Sequence, residues 1–248
     1  MDGEYARVYR QLYEKHWWWR SRERFILRTL HQWNYRSSRP GNHQILDIGC
    51  GDGLFFPKLQ QFGAVTGIEP DQRLLNAQGP YYSAIHQGPF DETYQPGTHF
   101  DWIIMLDVLE HIATPETALA HAVTLLKPGG KLLITAPAFN LLWTCHDDFN
   151  HHYARYTKTT FRNVATSAAI PITSMSYAFH WTFVAKLLIR LREKWFPTSP
   201  RPATLPNSPV NTICQTLCVL EQHLTSWFHI PFGSSLVIKA EDTRTIEV

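Results

Sequence analysis

Long hydrophobic runs are missing from this chain, and so is any large excess of charge of one sign. The most apolar stretch, residues 177–191, is broken by His180, Lys186 and Arg190 and is too short to cross a bilayer comfortably. The opening residues, MDGEYARVYRQLYEK, are too charged for a secretory signal and contain no apolar core, so a cytoplasmic location is expected. Lysine and arginine total 23 against 21 acidic residues, a net charge of +2, which gives no electrostatic reason to expect nucleic acid as a partner. Cysteine is scarce: Cys50, Cys145, Cys214 and Cys218 form no CxxC pair, so neither a zinc knuckle nor a disulfide framework is expected. Cys214 and Cys218, four apart on an expected helix, read as small core residues. Internal repeats are absent too.

What is present is a chain of 248 residues, 44% of them hydrophobic, enough for one large domain or a domain with a sizeable insertion. Residues 4–34 read as one or two helices in which Tyr9, Tyr13 and Trp17-Trp18-Trp19 alternate with Arg20, Arg22 and Arg24; punctuation at residues 39–42 ends this N-terminal helical cap, residues 1–40. Short apolar strands and helices then alternate: QILDIG, a helix over 54–62, AVTGIEP, a helix capped by Asp71, a weak strand at 83–87, and FDWIIML at 100–106. Thr114-Pro115 opens a helix running to Leu126, and KPGG turns the chain into KLLITAP. Such alternation implies a parallel sheet covered on both faces, a doubly wound α/β fold. Beyond Pro137 the spacing predicts a long loop over 138–156, a helix over 157–168, a strand near 172–179, helices over 181–196 and 211–228 separated by a proline-rich stretch, and a last strand, SSLVIKA. The main domain is thus 41–248, with a helical insertion at about 180–232.

DIGCGDG stands where the first strand ends and a helix begins. Glycines there let a ligand approach the backbone, and a helix start adds free amides. A dinucleotide site calls for G-x-G-x-x-G, but counting from Gly49 the third position is Leu54, so the spacing argues against that cofactor. Glu69, at the tip of the second strand and 18 residues beyond Gly51, is suited to accept hydrogen bonds from ribose hydroxyls.

With ILDIGCGDG, GIEP, FDWIIMLDVLEHI and LLKPGGKLLITAP in this order over residues 44–137, the sequence resembles the class I S-adenosylmethionine (SAM)-dependent methyltransferases. The resemblance implies a Rossmann-like, mostly parallel seven-stranded sheet with an antiparallel last strand. It also implies that Asp47 and the backbone of Gly49 and Gly51 hold the methionine part of SAM, with Cys50 and Gly53 also at the cofactor. Glu69 and Pro70 would lie at the ribose, Gln87 and Gly88 near the adenine, and Leu106 and Asp107 beside the cofactor. Pro89 replaces the acidic residue that many relatives carry at that position.

HWWWRSRERFIL, DVLEHI, PAFNLLWTCHDDFNHHYARYTKTTF and PFGSSLVIKA resemble a bacterial subgroup of the same family over nearly the whole chain, with Ala154-Arg155 where the subgroup usually has two arginines.

Methyl transfer from a sulfonium is an in-line displacement that needs alignment, exclusion of water and, for a hydroxyl acceptor, a base. Two polar clusters follow strands: DVLEH at 107–111 and HDDFNHH at 146–152. Catalytic candidates are His111, and His146 or His151 as base with Asp147 as its orienter. Trp143, His152, Arg155 and Tyr156 are candidates for holding the acceptor, Arg155 by pairing with an acidic group. Asp107, Glu110 and His111 resemble the E-x-x-E-H metal site of quinone-pathway O-methyltransferases, but Asp is shorter than the Glu it replaces and metal-free relatives carry the same VLEH, so no metal is expected. Arg22 is expected to pair with the SAM carboxylate, and Trp17-Trp18-Trp19 either to roof the sulfonium or to pack on the sheet.

The helix over 181–196 mixes Trp, Phe and Leu with Lys186, Arg190, Arg192 and Lys194, and is expected to pack on its successor as a helical hairpin. The expected partner is a small-molecule or lipid-like acceptor with a hydrophobic portion, reached through peripheral contact with a membrane surface. Rival readings are a non-catalytic SAM-binding regulator and an RNA or protein methyltransferase.

Overall fold

A computed structural model describes residues 3–37, 40–196, 203–225, 228 and 230–244. Its strands are β1 (His43–Ile48), β2 (Gly63–Glu69), β3 (Ile85–Gln87), β4 (Phe100–Leu106), β5 (Leu126–Pro137), β6 (Ile172–Ala178) and β7 (Ser235–Glu241). They form one seven-stranded sheet in the order β3-β2-β1-β4-β5-β7-β6, reversing direction of growth at β1–β4. All neighbours run parallel except β7, which enters antiparallel between β5 and β6. The expected doubly wound sheet with an antiparallel last strand is therefore present.

Side chains of successive strand residues leave on opposite faces, so each central strand feeds two cores. Leu46, Ile48, Ile103, Met105, Leu132, Ile134 and Ile238 bury against α4 (Pro115–Thr124) and α6 (Lys158–Ser167) through Leu119, Ala122, Phe161 and Ala165. Ile45, Trp102, Ile104, Leu133 and Val237 bury on the other face against α2 (Trp17–Tyr35) and α3 (Phe56–Leu59), through Ile26, Leu30, Trp33, Phe56 and Leu59. This two-sided burial is why FDWIIML reads as a continuous apolar run.

Several local expectations are corrected. The helix expected over 54–62 is only α3, and the helix after Asp71 is one 3-10 turn, Gln72–Leu74, capped by the Asp71 carboxylate. Neither segment has a long enough apolar stripe to nucleate more turns. The loop over 138–156 contains α5 (Cys145–Phe149), closed by a capping box in which Thr144 and Asp147 satisfy each other's backbone amides.

α1 (Gly3–Lys15) and α2 form the cap, and α7 (His180–Trp195) and α8 (Ser208–Leu224) the insertion. The expected helical hairpin is not the main contact of α8, which lies more along α2 than along α7. Trp17 N–H donates to Asn211, Asn211 donates to the Lys15 carbonyl, and Gln222 donates to the Ser21 carbonyl. Part of the proline-rich stretch and the end of the expected 211–228 helix lie outside the described residues. No described helix is long and apolar enough to cross a membrane.

Candidate active site

At the carboxyl end of β1 the chain turns back through Gly49 (φ +73) and Gly51 (φ +55), both left-handed. A Cβ on Gly49 would collide with the Val108 side chain, and one on Gly51 would stand 3.2 Å from the Tyr9 ring. Glycine here keeps a cradle open between β1, the end of β4 and α1. Glu69, buried at the tip of β2, steadies that cradle: Oε2 accepts the Gly51 amide at 2.8 Å and Oε1 the Asp71 amide at 2.9 Å. Each carboxylate oxygen retains a further lone pair for a ligand hydroxyl. Burial pushes the Glu69 carboxyl up, while these two amides pull it back.

Asp47, also buried, lies beneath the turn. Burial first, and then the charge of Glu69, push its pKa to about 8, with Arg22 opposing. A ligand carrying an ammonium would relieve that cost. Arg22, from α2, reaches across to Asp107 at 3.2 Å. Asp107, the residue after β4, is held in the left-handed region at φ +54 by Thr135, whose hydroxyl donates to Oδ1 at 2.8 Å. A non-glycine residue kept in that conformation at a strand end is typical of a functional site.

The far wall comes from the segments after β4 and β5. Asp147 is fully buried; Arg155 donates to it through Nε at 2.8 Å and Nη2 at 2.9 Å, and His152 Nδ1 lies 2.9 Å from its Oδ1. Although burial acts upward on Asp147, the hydrogen bonds from His152 and Arg155 hold its carboxyl well below the usual carboxylate range. His111 meets His152 edge to face at 4.7 Å. Glu110, His111 and His152 bring their ligand atoms within 4.8 Å of one another, and Glu110 Oε2 is buried without a hydrogen-bond partner among the described residues. Burial, then the Asp107 charge, raise the Glu110 carboxyl. Two imidazoles and a carboxylate suit a borderline divalent cation, so this group fits a metal although the sequence argued for none.

One cavity joins these walls. Arg22, Asp47, Gly49, Cys50, Leu106, Asp107, His111, His146, His152 and Arg155, candidates for three different roles, all line it. Gly51 and Glu69 close the turn beneath. Gly53, Pro70, Gln87 and Gly88 are not among its lining residues; Gly88 instead donates its amide to the Glu69 carbonyl at 3.1 Å, behind the β2 tip.

The acceptor candidates separate. Trp143 donates to Asp148 at 2.8 Å away from the cavity, and Tyr156 is buried in the core with its hydroxyl toward the Leu109 carbonyl. His151 is exposed at φ +55 and does not line the cavity; its neighbour His152 is the histidine that Asp147 orients. His146 does line it, beside Asn150, and burial followed by the Lys186 charge lowers its pKa to about 4. Burial likewise brings His111 to about 4, helped by His152.

Sequence reasoning brought Arg22 and the Trp17-Trp18-Trp19 stripe to the cofactor but did not single out four further lining residues of the cap and the insertion. Tyr9 and Tyr13 of α1, Glu23 of α2 and Lys186 of α7 all line the cavity, and Trp18 and Trp19 do as well. Trp17 does not line the cavity; its ring meets that of Trp181 at a tilt of 37° with centroids 5.3 Å apart. Only the aromatic and cationic interleaving of residues 9–24 hinted at this.

Residues 18–168 match the family model described as a methyltransferase domain. Among similar proteins are ubiquinone biosynthesis O-methyltransferases. That of Aromatoleum aromaticum is 27% identical over 135 residues, 48% of this chain and 57% of the relative; that of Albidiferax ferrireducens is 34% identical over 133 residues, 46% and 51%. The chain therefore spans about half the length of the curated relatives it matches. A SAM-dependent methyltransferase of Archaeoglobus fulgidus shares the fold, with a TM-score of 0.53 at 13% identity over 88% of this chain and 94% of that one. With the glycine turn, Glu69 and the sheet order in place, the chain belongs to the class I SAM-dependent methyltransferases.

Proposed function

We propose that this chain transfers the methyl group of SAM to a hydroxyl of a small molecule that has an apolar portion, with His152 as the base. SAM supplies an electrophilic methyl on a sulfonium and leaves as the neutral thioether S-adenosylhomocysteine. Asp47 would hold the donor's ammonium and Glu69 its ribose. The observation that carries the assignment of the base is the His152–Asp147 contact of 2.9 Å on the cavity wall. With Nδ1 engaged by the carboxylate, the other ring nitrogen is left to take a proton, and the carboxylate stabilises the imidazolium that forms. The acceptor oxygen then attacks the methyl carbon as the carbon–sulfur bond breaks. Trp18 and Trp19 border the cavity and exclude water from the reacting atoms. Relatives named for O-methylation favour an oxygen acceptor.

The test is transfer of labelled methyl from SAM to phenols and catechols with and without a prenyl chain. His152→Ala should lose turnover by about 10²–10⁴-fold while SAM affinity stays at the parental value. Parental turnover in that variant would move the role to His111 or His146. Label appearing only in RNA or protein would favour a macromolecular acceptor, and SAM binding without any transfer a regulator.

A second reading rests on Glu110, whose orphaned, buried oxygen stands beside His111 and His152. A divalent cation held by these three residues would lower the pKa of a bound hydroxyl. His152 would then orient that hydroxyl's activation rather than accept its proton. Loss of turnover on chelation, restored by a divalent metal and absent in Glu110→Gln, decides for it.

A further inference from the structure

Lys186 projects from the second turn of α7 into the same cavity, where the insertion meets the far wall. Its ammonium lies 5.8 Å over the Trp18 ring, and no carboxylate of the described residues is within ion-pair reach of it. Two acids nearby are already matched, Asp107 by Arg22 and Asp147 by Arg155. Arg155, the cation that the sequence offered for an acidic acceptor, has its charge paired by Asp147 and a further N–H bonded to the Ala138 carbonyl. Lys186 is thus the cation that the cavity leaves uncompensated, half-buried and bordered by an aromatic face.

We propose that Lys186 is the anchor for an anionic group, a carboxylate or phosphate, on the methyl acceptor. The inference rests on the methyltransferase reading above and deepens it. Two sources could supply such a group: the acceptor, or the carboxylate of SAM itself. The side chains around Lys186 argue for the acceptor. It faces His146 and Arg155 from the segment after β5, whereas the glycine turn and Asp47 hold the donor from β1, with Arg22 as the cation on that side. Burial, and next the Arg155 charge, bring the ammonium to about 8, so it stays largely charged near neutrality and gains from an incoming anion.

The experiment is calorimetry on protein saturated with S-adenosylhomocysteine, using 3,4-dihydroxybenzoate and its uncharged amide as probes. The parent should bind the acid about tenfold more tightly than the amide, the gain of one charge-assisted contact. Lys186→Met should remove that preference, Lys186→Arg should keep most of it, and both should bind S-adenosylhomocysteine as the parent does, with an unchanged thermal midpoint. Equal binding of acid and amide by the parent, binding of neither, or equal loss of both in Lys186→Met overturns the proposal. So does a selective loss of S-adenosylhomocysteine affinity, which would assign Lys186 to the donor's carboxylate. A parent that does not bind S-adenosylhomocysteine at all is a different failure, that of the methyltransferase reading itself.

Discussion

Arg155 grips Asp147 with two parallel hydrogen bonds, Nε to Oδ1 at 2.8 Å and Nη2 to Oδ2 at 2.9 Å, with both side chains essentially withdrawn from solvent. The pair sits eight residues apart across α5 and fastens the segment after β5 to the sheet, because Arg155 Nη1 also donates to the Ala138 carbonyl. His152 is oriented by the same carboxylate, its Nδ1 sharing Oδ1 with Arg155 Nε.

Removing one partner should therefore be costly. Asp147→Ala is expected to destabilise the fold by about 3–5 kcal/mol, since it leaves a buried guanidinium without its counter-charge. The double variant Asp147→Ala with Arg155→Met should lose less than the sum of the two single changes. Urea unfolding of the four proteins measures this cycle; strict additivity would show that the pair is not coupled.

Glu69 is the second test, at the donor side. Glu69→Gln keeps the side-chain size but loses the charge proposed to face the ribose and the second strong acceptor for the Gly51 and Asp71 amides. SAM affinity should fall by about 1.5–3 kcal/mol, the range for hydrogen bonds to a charged group. Calorimetry with SAM gives the answer, and an unchanged affinity would remove Glu69 from the cofactor site.

The seat of the insertion should respond to pH. Glu221 of α8 accepts the His180 and Trp181 amides at 2.6 and 3.1 Å and lies 2.8 Å from His180 Nδ1, so it caps the start of α7 from a different helix. Burial acts upward on this carboxyl, but the bonds from His180 and Trp181 win and hold it below its ordinary value of 4.5. A depressed carboxylate stabilises the fold above its unfolded pKa and loses that contribution as pH falls through the folded one. Glu221→Gln should thus cost roughly 2 kcal/mol at neutral pH. The gap to the parent should narrow below about pH 4. Thermal melts across pH 3–7 check the sign; a gap that widens toward acid would contradict it. Besides His180, Cys218, one turn earlier on α8 and bonded to Trp181, is a titratable group at this contact.

The outer face of the insertion bears on the acceptor's apolar portion. Val210, Ile213, Leu217, Leu220 and Leu224 recur every three or four residues on α8, and all are exposed; Leu188, Leu191 and Trp195 do the same on α7, next to Arg190, Arg192 and Lys194. An apolar stripe flanked by cations suits the surface of an anionic bilayer, where each buried methylene adds about 0.8 kcal/mol. The double variant Leu188→Glu with Trp195→Glu should lose flotation with anionic liposomes while turning over a truncated, water-soluble acceptor as the parent does. If the parent ignores liposomes and does not distinguish prenylated from truncated acceptors, the stripe has no part in presenting the acceptor.

The glycine turn, the acidic tip at Glu69 and the apolar strands were legible in the sequence because each is a local requirement. Left-handed backbone calls for glycine at 49 and 51, a strand buried on both faces calls for an unbroken run such as FDWIIML, and a cap calls for Asp71 at a helix start. Those demands fixed the fold class and the glycine turn with its acidic neighbour. The acceptor half was decided by the tertiary structure. Which of His146, His151 and His152 meets Asp147 depends on how α5 ends, with Asn150 closing the helix and His151 turned left-handed so that the next residue swings inward. Arg155 looked available for an acidic acceptor, yet it is consumed by Asp147; Lys186 looked like one of several cations on an amphipathic helix, yet it alone of those on α7 lines the cavity. Periodicity can assign a side chain to a helix face, but not to the particular neighbour across it. That neighbour is set by the angle at which α7 leaves Phe179, by the Glu221 cap that α8 brings to it, and by α2 lying between α8 and the sheet.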